Sequence, residues 1–200
     1  MKLKHTLAAL ALLAATSAHA GLVNGNFEAG SSGWTFAGNT DLGHDDGSSF
    51  YWGAGTAAQN GSTVAVFNSG DRQPNGYISQ TFATHAGDTI SVIFDYGLTS
   101  CGQSCTQDLV ASIMGADGST ELASMTAIGH PGQELGSYRF SFHADGNFAT
   151  VRFSDVGANN TVSLDGVLDN VRVDVPEPAS IGLLGLGLMG LLATRRRTRR

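Results

Sequence analysis

Short runs of alternating apolar and polar residues, separated by glycine-rich turns, constrain the fold of this chain most strongly. Ile78, Gln80 and Phe82 alternate with Ser79 and Thr81, which is the period of a strand with one buried face. The 200 residues include 27 glycines, and between the two ends of the chain no window of a dozen residues keeps a helical period. The pattern therefore predicts an all-β fold.

About ten such runs follow one another along the chain, spaced 8–15 residues apart. Asp117-Gly118 and Asp145-Gly146 lie between runs, and we expect these pairs to supply the positive φ that primed hairpin turns need. Many short strands at this spacing predict an antiparallel β-sandwich, a jelly roll. The longest region without a strong strand pattern is 38–61. The predicted strands are residues 22–28, 34–37, 63–68, 77–84, 89–96, 108–115, 121–128, 137–143, 148–154, 161–164 and 168–174.

The first 20 residues have the three parts of a secretory signal peptide. Lys2 and Lys4 make a basic start, residues 7–15 are apolar, and Ala18 and Ala20 form a small-x-small cleavage site. A signal peptide of this kind is removed on export and takes no part in the fold. The alternative, a buried N-terminal helix, is strongly disfavoured by this pattern.

The last 25 residues also have three parts. Pro176, Glu177 and Pro178 precede the uncharged run 179–194, and five of the final six residues are arginine. A helix over this run would span about 24 Å, slightly less than the ~30 Å hydrocarbon core of a bilayer. The terminal arginines would stay on the cytoplasmic side. From the residues alone, an ordinary single-pass anchor is an equally good interpretation.

This order of Pro-Glu-Pro, short apolar helix and arginine cluster resembles the PEP-CTERM sorting signal of Gram-negative bacteria. The resemblance implies recognition at the inner membrane by an exosortase, a membrane cysteine protease, and cleavage near Pro-Glu-Pro. The ectodomain would then pass to the cell surface or extracellular matrix. On this interpretation the chain divides into a signal peptide (1–20), a β-sandwich ectodomain (21–175) and a sorting signal (176–200) with its transmembrane helix.

The predicted ectodomain is strongly acidic. Residues 21–175 hold 16 acids, four arginines and no lysine, a net charge of −12. A surface of this charge repels nucleic acid and anionic lipid. It suits divalent cations, neutral sugars or basic partners.

Cys101 and Cys105 are the two cysteines of the chain. In an oxidising compartment we expect them to form a disulfide. Closing so short a loop stabilises a protein by about 2 kcal/mol in the chain-entropy model. A metal site is disfavoured because two further soft ligands are missing nearby, and a redox role is disfavoured more strongly.

Two motifs at the ends of the ectodomain resemble carbohydrate-binding modules of the galactose-binding-like jelly-roll class. They are N-G-N-F-E with G-W at 24–34, and L-D-N-V-R-V at 168–173. The resemblance implies that the first and last strands lie close together and that Glu28 and Asp169 hold a structural Ca²⁺. Calcium takes six to eight hard oxygen ligands, so backbone carbonyls would complete the site. The alternative is that both acids are exposed edge charges.

An aromatic cluster lies within the region 38–61. Phe50, Tyr51 and Trp52 are consecutive, and neighbouring side chains of an extended segment point to opposite sides. At least one should therefore be exposed, and Tyr51 or Trp52 would offer a flat apolar face to a sugar ring. The alternative is that the three rings close one end of the sandwich. Trp34, in contrast, is predicted to lie in the core.

No catalytic motif was found. His44, His85, His130 and His143 are scattered, without an HExxH or G-x-S-x-G pattern. Two carboxylates could meet as a glycosidase dyad, but 16 acids make this argument unselective. The sequence predicts a non-enzymatic exported protein for adhesion or exopolysaccharide association. The alternatives are a structural matrix protein without a ligand and, less favoured, a polysaccharide-active enzyme.

Overall fold

A computed structural model describes residues 21–44, 63–68, 73–98, 107–129, 135–156 and 166–175. In these ranges there is no helix long and apolar enough to cross a bilayer. The described residues form ten strands: β1 (Thr35–Ala37), β2 (Thr40–His44), β3 (Thr63–Phe67), β4 (Tyr77–Ala83), β5 (Thr89–Leu98), β6 (Gln107–Met114), β7 (Glu121–Gly129), β8 (Gly136–His143), β9 (Phe148–Asp155) and β10 (Gly166–Asp174).

The strands form two five-stranded sheets. Sheet A has the order β1-β4-β9-β6-β7, and sheet B has the order β2-β3-β10-β5-β8. All neighbouring strands are antiparallel, and most neighbours are not consecutive in the chain. The chain therefore crosses repeatedly from one sheet to the other, and the predicted antiparallel β-sandwich is confirmed.

The core lies between the sheets and follows the alternation in the sequence. In β4, Ile78, Gln80 and Phe82 are buried, and the intervening residues face outward. Trp34 is 7% exposed, as predicted, and its ring centroid lies 6.4 Å from that of Phe153. Edge and tilted ring contacts of this kind add to the stabilisation from burial alone.

The strand predictions were wrong at two places. Residues 22–28 form turns, because Asn24 and Phe27 have positive φ values of 52° and 54°, which a strand does not allow. The region 38–61 begins with a strand, β2, which pairs with β3 from Thr40–Phe67 to His44–Thr63. The predicted strand 161–164 lies outside the described residues.

The two Asp-Gly turns differ from each other. Gly118 has a φ of 71°, as predicted, and its N–H donates to the carbonyl of Gly115 at 2.9 Å. Gly146 is not among the glycines with positive φ, so the prediction was wrong there. Instead, the Asp145 carboxylate accepts a hydrogen bond from the N–H of Ala116 at 2.9 Å and joins the two turns.

Candidate functional site

The opening segment, residues 21–34, is folded around the side chain of Asn24. Its amide donates to the carbonyls of Gly30 (2.8 Å) and Ser32 (3.0 Å) and accepts from the N–H of Ala29 (2.9 Å). The indole N–H of Trp34 donates to the Asn24 carbonyl at 2.9 Å. The N-G-N-F-E…G-W motif is thus a closed loop that holds Trp34 in the core.

This opening segment lies directly against the last strand. The N–H of Val171 donates to the Gly25 carbonyl at 2.8 Å, and a Cβ at Gly25 would collide with the Val171 carbonyl. On the other sheet, the Gln80 amide donates to and accepts from the backbone of Val23 at 2.9 and 2.7 Å. The two motifs singled out in the sequence are therefore in contact, although the first of them is not a strand.

Glu28 connects the opening segment to β3. The residue is exposed, and its Oε1 accepts a hydrogen bond from the N–H of Thr63 at 2.9 Å. Glu28 thus lies at the start of β3, the strand that pairs with residues 166–168 of β10. Its predicted partner, Asp169, is the next residue of β10.

Asp169 is buried, with 3% of its surface exposed, and faces Asp95 across β10 and β5. The strand register shifts after Asp169, where Asn170 has a φ of 52°. Asn170 donates its backbone N–H to Asp169 at 2.7 Å and its side-chain amide to Asp95 at 3.0 Å. The irregularity therefore places one amide donor on each of two neighbouring carboxylates.

The surroundings of Asp169 disfavour the ionised form of its carboxyl group. The pKa of its carboxyl group is raised from 3.8 to about 7, and burial is the largest cause. The backbone hydrogen bond from Asn170 opposes this rise, and the negative charges of Asp95 and Glu28 contribute to it. A cation beside Asp169 would oppose both burial and repulsion.

The oxygen atoms around Asp169 are of the type that binds calcium. Carboxylate oxygens are ligands that Ca²⁺ prefers, and the charges of Asp95 and Glu28 both act on the carboxyl group of Asp169. Within the described ranges, however, no three side chains of the His, Cys, Asp and Glu types are grouped closely enough to hold a metal ion. An ion held by Glu28 and Asp169 would need further oxygens, such as backbone carbonyls.

Glu28 and Asp169 differ in how far they are exposed to solvent. The alternative of two exposed edge charges is wrong for Asp169, which is buried, whereas Glu28 is exposed. The prediction missed Asp95. Alternation places Asp95 on the outward side of β5, but nothing in the sequence indicates that it lies opposite Asp169.

A second candidate site is the outer face of sheet A, the side that points away from the core. One row of side chains crosses all five strands in register. Four of its five members carry hydroxyl groups and the central one is an arginine. The row consists of Thr35, Ser79, Arg152, Ser112 and Ser124.

The centre of this face holds an arginine stacked on a tyrosine. The guanidinium carbon of Arg152 lies 3.8 Å from the ring centroid of Tyr77, a cation–π contact. Arg152 Nε donates to the Ser154 hydroxyl at 3.1 Å. Nearby on the same strands, the hydroxyls of Thr81 and Thr150 are hydrogen-bonded at 2.8 Å. Nothing in the sequence indicates this face, because only the register of β4 against β9 brings Tyr77 and Arg152 together.

Several predicted sites lie outside the described residues and stay predictions. They are the aromatic platform, the disulfide, the signal cleavage site and the sorting motif, that is Tyr51, Trp52, Cys101, Cys105, Ala18, Ala20, Pro176, Glu177 and Pro178.

Two family models match the chain. The first, described as a protein of unknown function (DUF642), matches residues 20–174, well over half of the length. The chain belongs to the DUF642 family. The second, the PEP-CTERM protein-sorting motif, matches residues 174–197 of this DUF642 chain. It confirms the resemblance of the tail and implies a secreted protein with a membrane-anchoring, exosortase-type sorting signal at its C-terminal end.

Solved carbohydrate-binding modules have a fold similar to that of this DUF642 chain. TmCBM61, solved in complex with β-1,4-galactotriose, has a TM-score of 0.55 and 16% identity, over 77% of this chain and 97% of its own. The CBM22-1 xylan-binding domain of Paenibacillus barcinonensis Xyn10C has a TM-score of 0.47 and 15% identity, over 80% of this chain and 94% of its own. The likeness to TmCBM61 confirms the jelly-roll sandwich. No curated protein sequence matches the chain.

Proposed function

We propose that this DUF642 protein is exported, is processed by an exosortase at its C-terminal tail, and binds an extracellular polysaccharide without cleaving it. Its role would be adhesion or exopolysaccharide association at the cell surface or in the extracellular matrix. The PEP-CTERM match supports the route. The outer face of sheet A is the observation that carries the binding activity.

That face has the chemistry that a sugar chain requires. Accessible hydroxyl side chains in the row, such as those of Thr35 and Ser79, can donate to and accept from sugar hydroxyls. Ser112, in the same row, is buried and contributes to the packing of the face rather than to binding. The half-buried Tyr77 and the exposed Arg152 supply a flat, preorganised centre. Phe148, 57% exposed, lies on the same face at the start of β9. Phe148 is six residues from Ser154, so the face extends about 20 Å along β9.

The similarity of the fold to TmCBM61 adds support, since that module was solved with a galactose trisaccharide bound. A sandwich of this architecture can thus present a surface to a neutral oligosaccharide. The net charge of −12 in residues 21–175 favours neutral over polyanionic polymers at long range.

We further propose that Ca²⁺ binds at Glu28 and Asp169 as a structural ion. The buried carboxyl of Asp169, whose pKa is raised to about 7, supports a nearby cation. The ion would be held between the opening segment and β10, and so would stabilise the contact between Gly25 and Val171.

A glycan array with the full chain in a neutral detergent tests the binding activity. We expect one or more polysaccharides to bind, and Tyr77→Ala to weaken binding about tenfold, because the substitution removes the ring that holds the Arg152 guanidinium in place. Ser141→Ala, on the outer face of sheet B, is the matched control and should bind as the unmodified chain does. Trp52→Ala tests the predicted loop platform in parallel.

Two results would contradict this function. If no polysaccharide binds, the chain is better described as a structural matrix protein without a ligand. Release of hydrolysis or elimination products from any bound polymer would instead identify an enzyme that acts on polysaccharide.

A further inference from the structure

Arg152 differs from the other arginines that the structure describes. Arg139 is paired with Asp174 at 2.7 Å, and Arg172 donates to the Asn170 carbonyl at 3.3 Å. Arg152 has one hydrogen bond, from Nε to the Ser154 hydroxyl. Among the described residues no carboxylate lies within ion-pair distance of it. The four N–H groups on its two terminal nitrogens are therefore available to a ligand.

The guanidinium of Arg152 is held in one orientation. Its flat side rests on the Tyr77 ring at 3.8 Å, and its Nε is tied to Ser154 at 3.1 Å. A guanidinium fixed in this way presents two parallel N–H donors, the geometry that matches a carboxylate. Because the side chain is already ordered, a ligand meets a lower entropic cost on binding.

The neighbours of Arg152 on this face are uncharged. Ser79 and Ser112 flank it in the same row. Of the acids on the face, Asp108 is four residues along β6 from Ser112, about 13 Å, and Glu121 lies two strands away, about 10 Å. Both distances exceed the Debye length of about 8 Å at physiological ionic strength. A carboxylate beside Arg152 is thus attracted locally, although the domain as a whole is acidic.

Hydroxyl side chains surround this cation on several sides. Thr81 and Thr150 lie along the strands in one direction, and Ser154 in the other. A ligand that fits must carry a carboxylate for Arg152 and several hydroxyls for these neighbours. A sugar ring with a carboxylate substituent has this combination.

We propose that Arg152 and Tyr77 form a subsite for uronic-acid units of an extracellular polysaccharide. The inference rests on the proposed polysaccharide-binding function and names the class of sugar that it selects. The guanidinium binds the carboxylate of one sugar unit, and the hydroxyl row binds the neighbouring neutral groups. Uronate units spaced along a polymer satisfy this arrangement without requiring dense negative charge.

The test compares one polymer in two forms, a polysaccharide whose uronate units are separated by neutral sugars and the same polymer with its carboxylates reduced to primary alcohols. Binding to the full chain in neutral detergent is measured at fixed ionic strength. We expect tighter binding of the carboxylate form, and Arg152→Gln should reduce that preference by about tenfold, as expected for loss of a charge-assisted hydrogen-bonded pair. Arg152→Lys keeps the positive charge but loses the two parallel N–H donors of the guanidinium. This variant should retain only part of the preference for the carboxylate form.

Arg139→Gln is the matched control, because it removes the same charge from the outer face of sheet B. The preference should survive in this variant, with unchanged melting temperature as the check on folding. Equal binding of both polymer forms by the unmodified chain, or a preference that persists in Arg152→Gln, overturns the inference but leaves the proposed function standing. Failure to bind any polysaccharide overturns both.

Discussion

Asp169 and Asp95 lie opposite each other across the central strands of sheet B, and Asn170 donates one hydrogen bond to each. The arrangement is costly for Asp169, since burial and the neighbouring charge of Asp95 both disfavour its ionised form. The pairing of β10 with β5 and the irregularity at Asn170 bring these groups together. Most of the predictions about stability follow from this pair.

The stability of the protein should fall as pH rises from about 4 to 7 in the presence of a chelator. The pKa of Asp169 is about 7 in the folded chain and 3.8 as the ordinary value. The folded state therefore binds more protons across this range, and the free energy of unfolding decreases as pH rises, by up to about 1.4 kcal/mol per pH unit. Chemical unfolding at a series of pH values measures the slope.

Asp169→Asn should remove this dependence, because no group with a raised pKa remains there. Asp41→Asn, at an exposed acid, is the control and should keep the slope. A slope that is the same in both variants would show that another group is responsible.

Calcium should raise the melting temperature of the chain at neutral pH. Binding to the folded state alone stabilises it by about 2.7 kcal/mol at a free Ca²⁺ concentration one hundred times the Kd. Differential scanning calorimetry with calcium and with chelator measures the shift. Glu28→Gln and Asp169→Asn should each abolish the shift, while Asp41→Asn should leave it intact. An identical midpoint with and without chelator argues against the site.

Gly25→Ala should destabilise the protein strongly. The new Cβ would collide with the backbone carbonyl of Val171, which cannot move without breaking the contact between the opening segment and β10. We expect a loss of about 2–3 kcal/mol, the range for overpacking in a well-packed region. Gly21→Ala is the control, since its Cβ would make only an ordinary contact with Val173 at 3.8 Å. Equal stability of the two variants contradicts this account of the motif.

Processing at both ends should be visible in the mass of the exported protein. We expect an N-terminus at Gly21 and loss of the arginine cluster that ends at Arg200. Mass spectrometry of the protein recovered from the cell surface measures both. An exported form that retains Arg200 rules out removal of the tail.

Much of the sandwich could be predicted because alternation reports burial directly. Ile78, Gln80 and Phe82 face the core as their spacing indicates. The strand predicted at 22–28 was wrong, since Asn24 and Phe27 take positive φ values that the sequence does not indicate. The side chain of Asn24 hydrogen-bonds the backbone of this segment in place of a neighbouring strand. Sequence patterns do not show where a side chain will do this.

The candidate sites were less predictable than the fold. Glu28 and Asp169 were found through motifs at the two ends of the domain, but Asp95 joins them only through strand register. Arg152 and Tyr77 are 75 residues apart in the sequence, and only the pairing of β4 with β9 brings them together. The alternation within a strand indicates on which face of the sheet a residue lies. The register between strands that are distant in the sequence decides which residues are its neighbours.

The most direct test of polysaccharide binding is a footprint of the bound polymer on the folded chain. Hydroxyl-radical oxidation of side chains, with and without a polysaccharide identified on the array, reports which surfaces become covered. We expect protection of Tyr77 and Met114 on the outer face of sheet A, and no change at His143 on sheet B. Unchanged oxidation of Tyr77 and Met114 at a saturating polymer concentration would contradict the account.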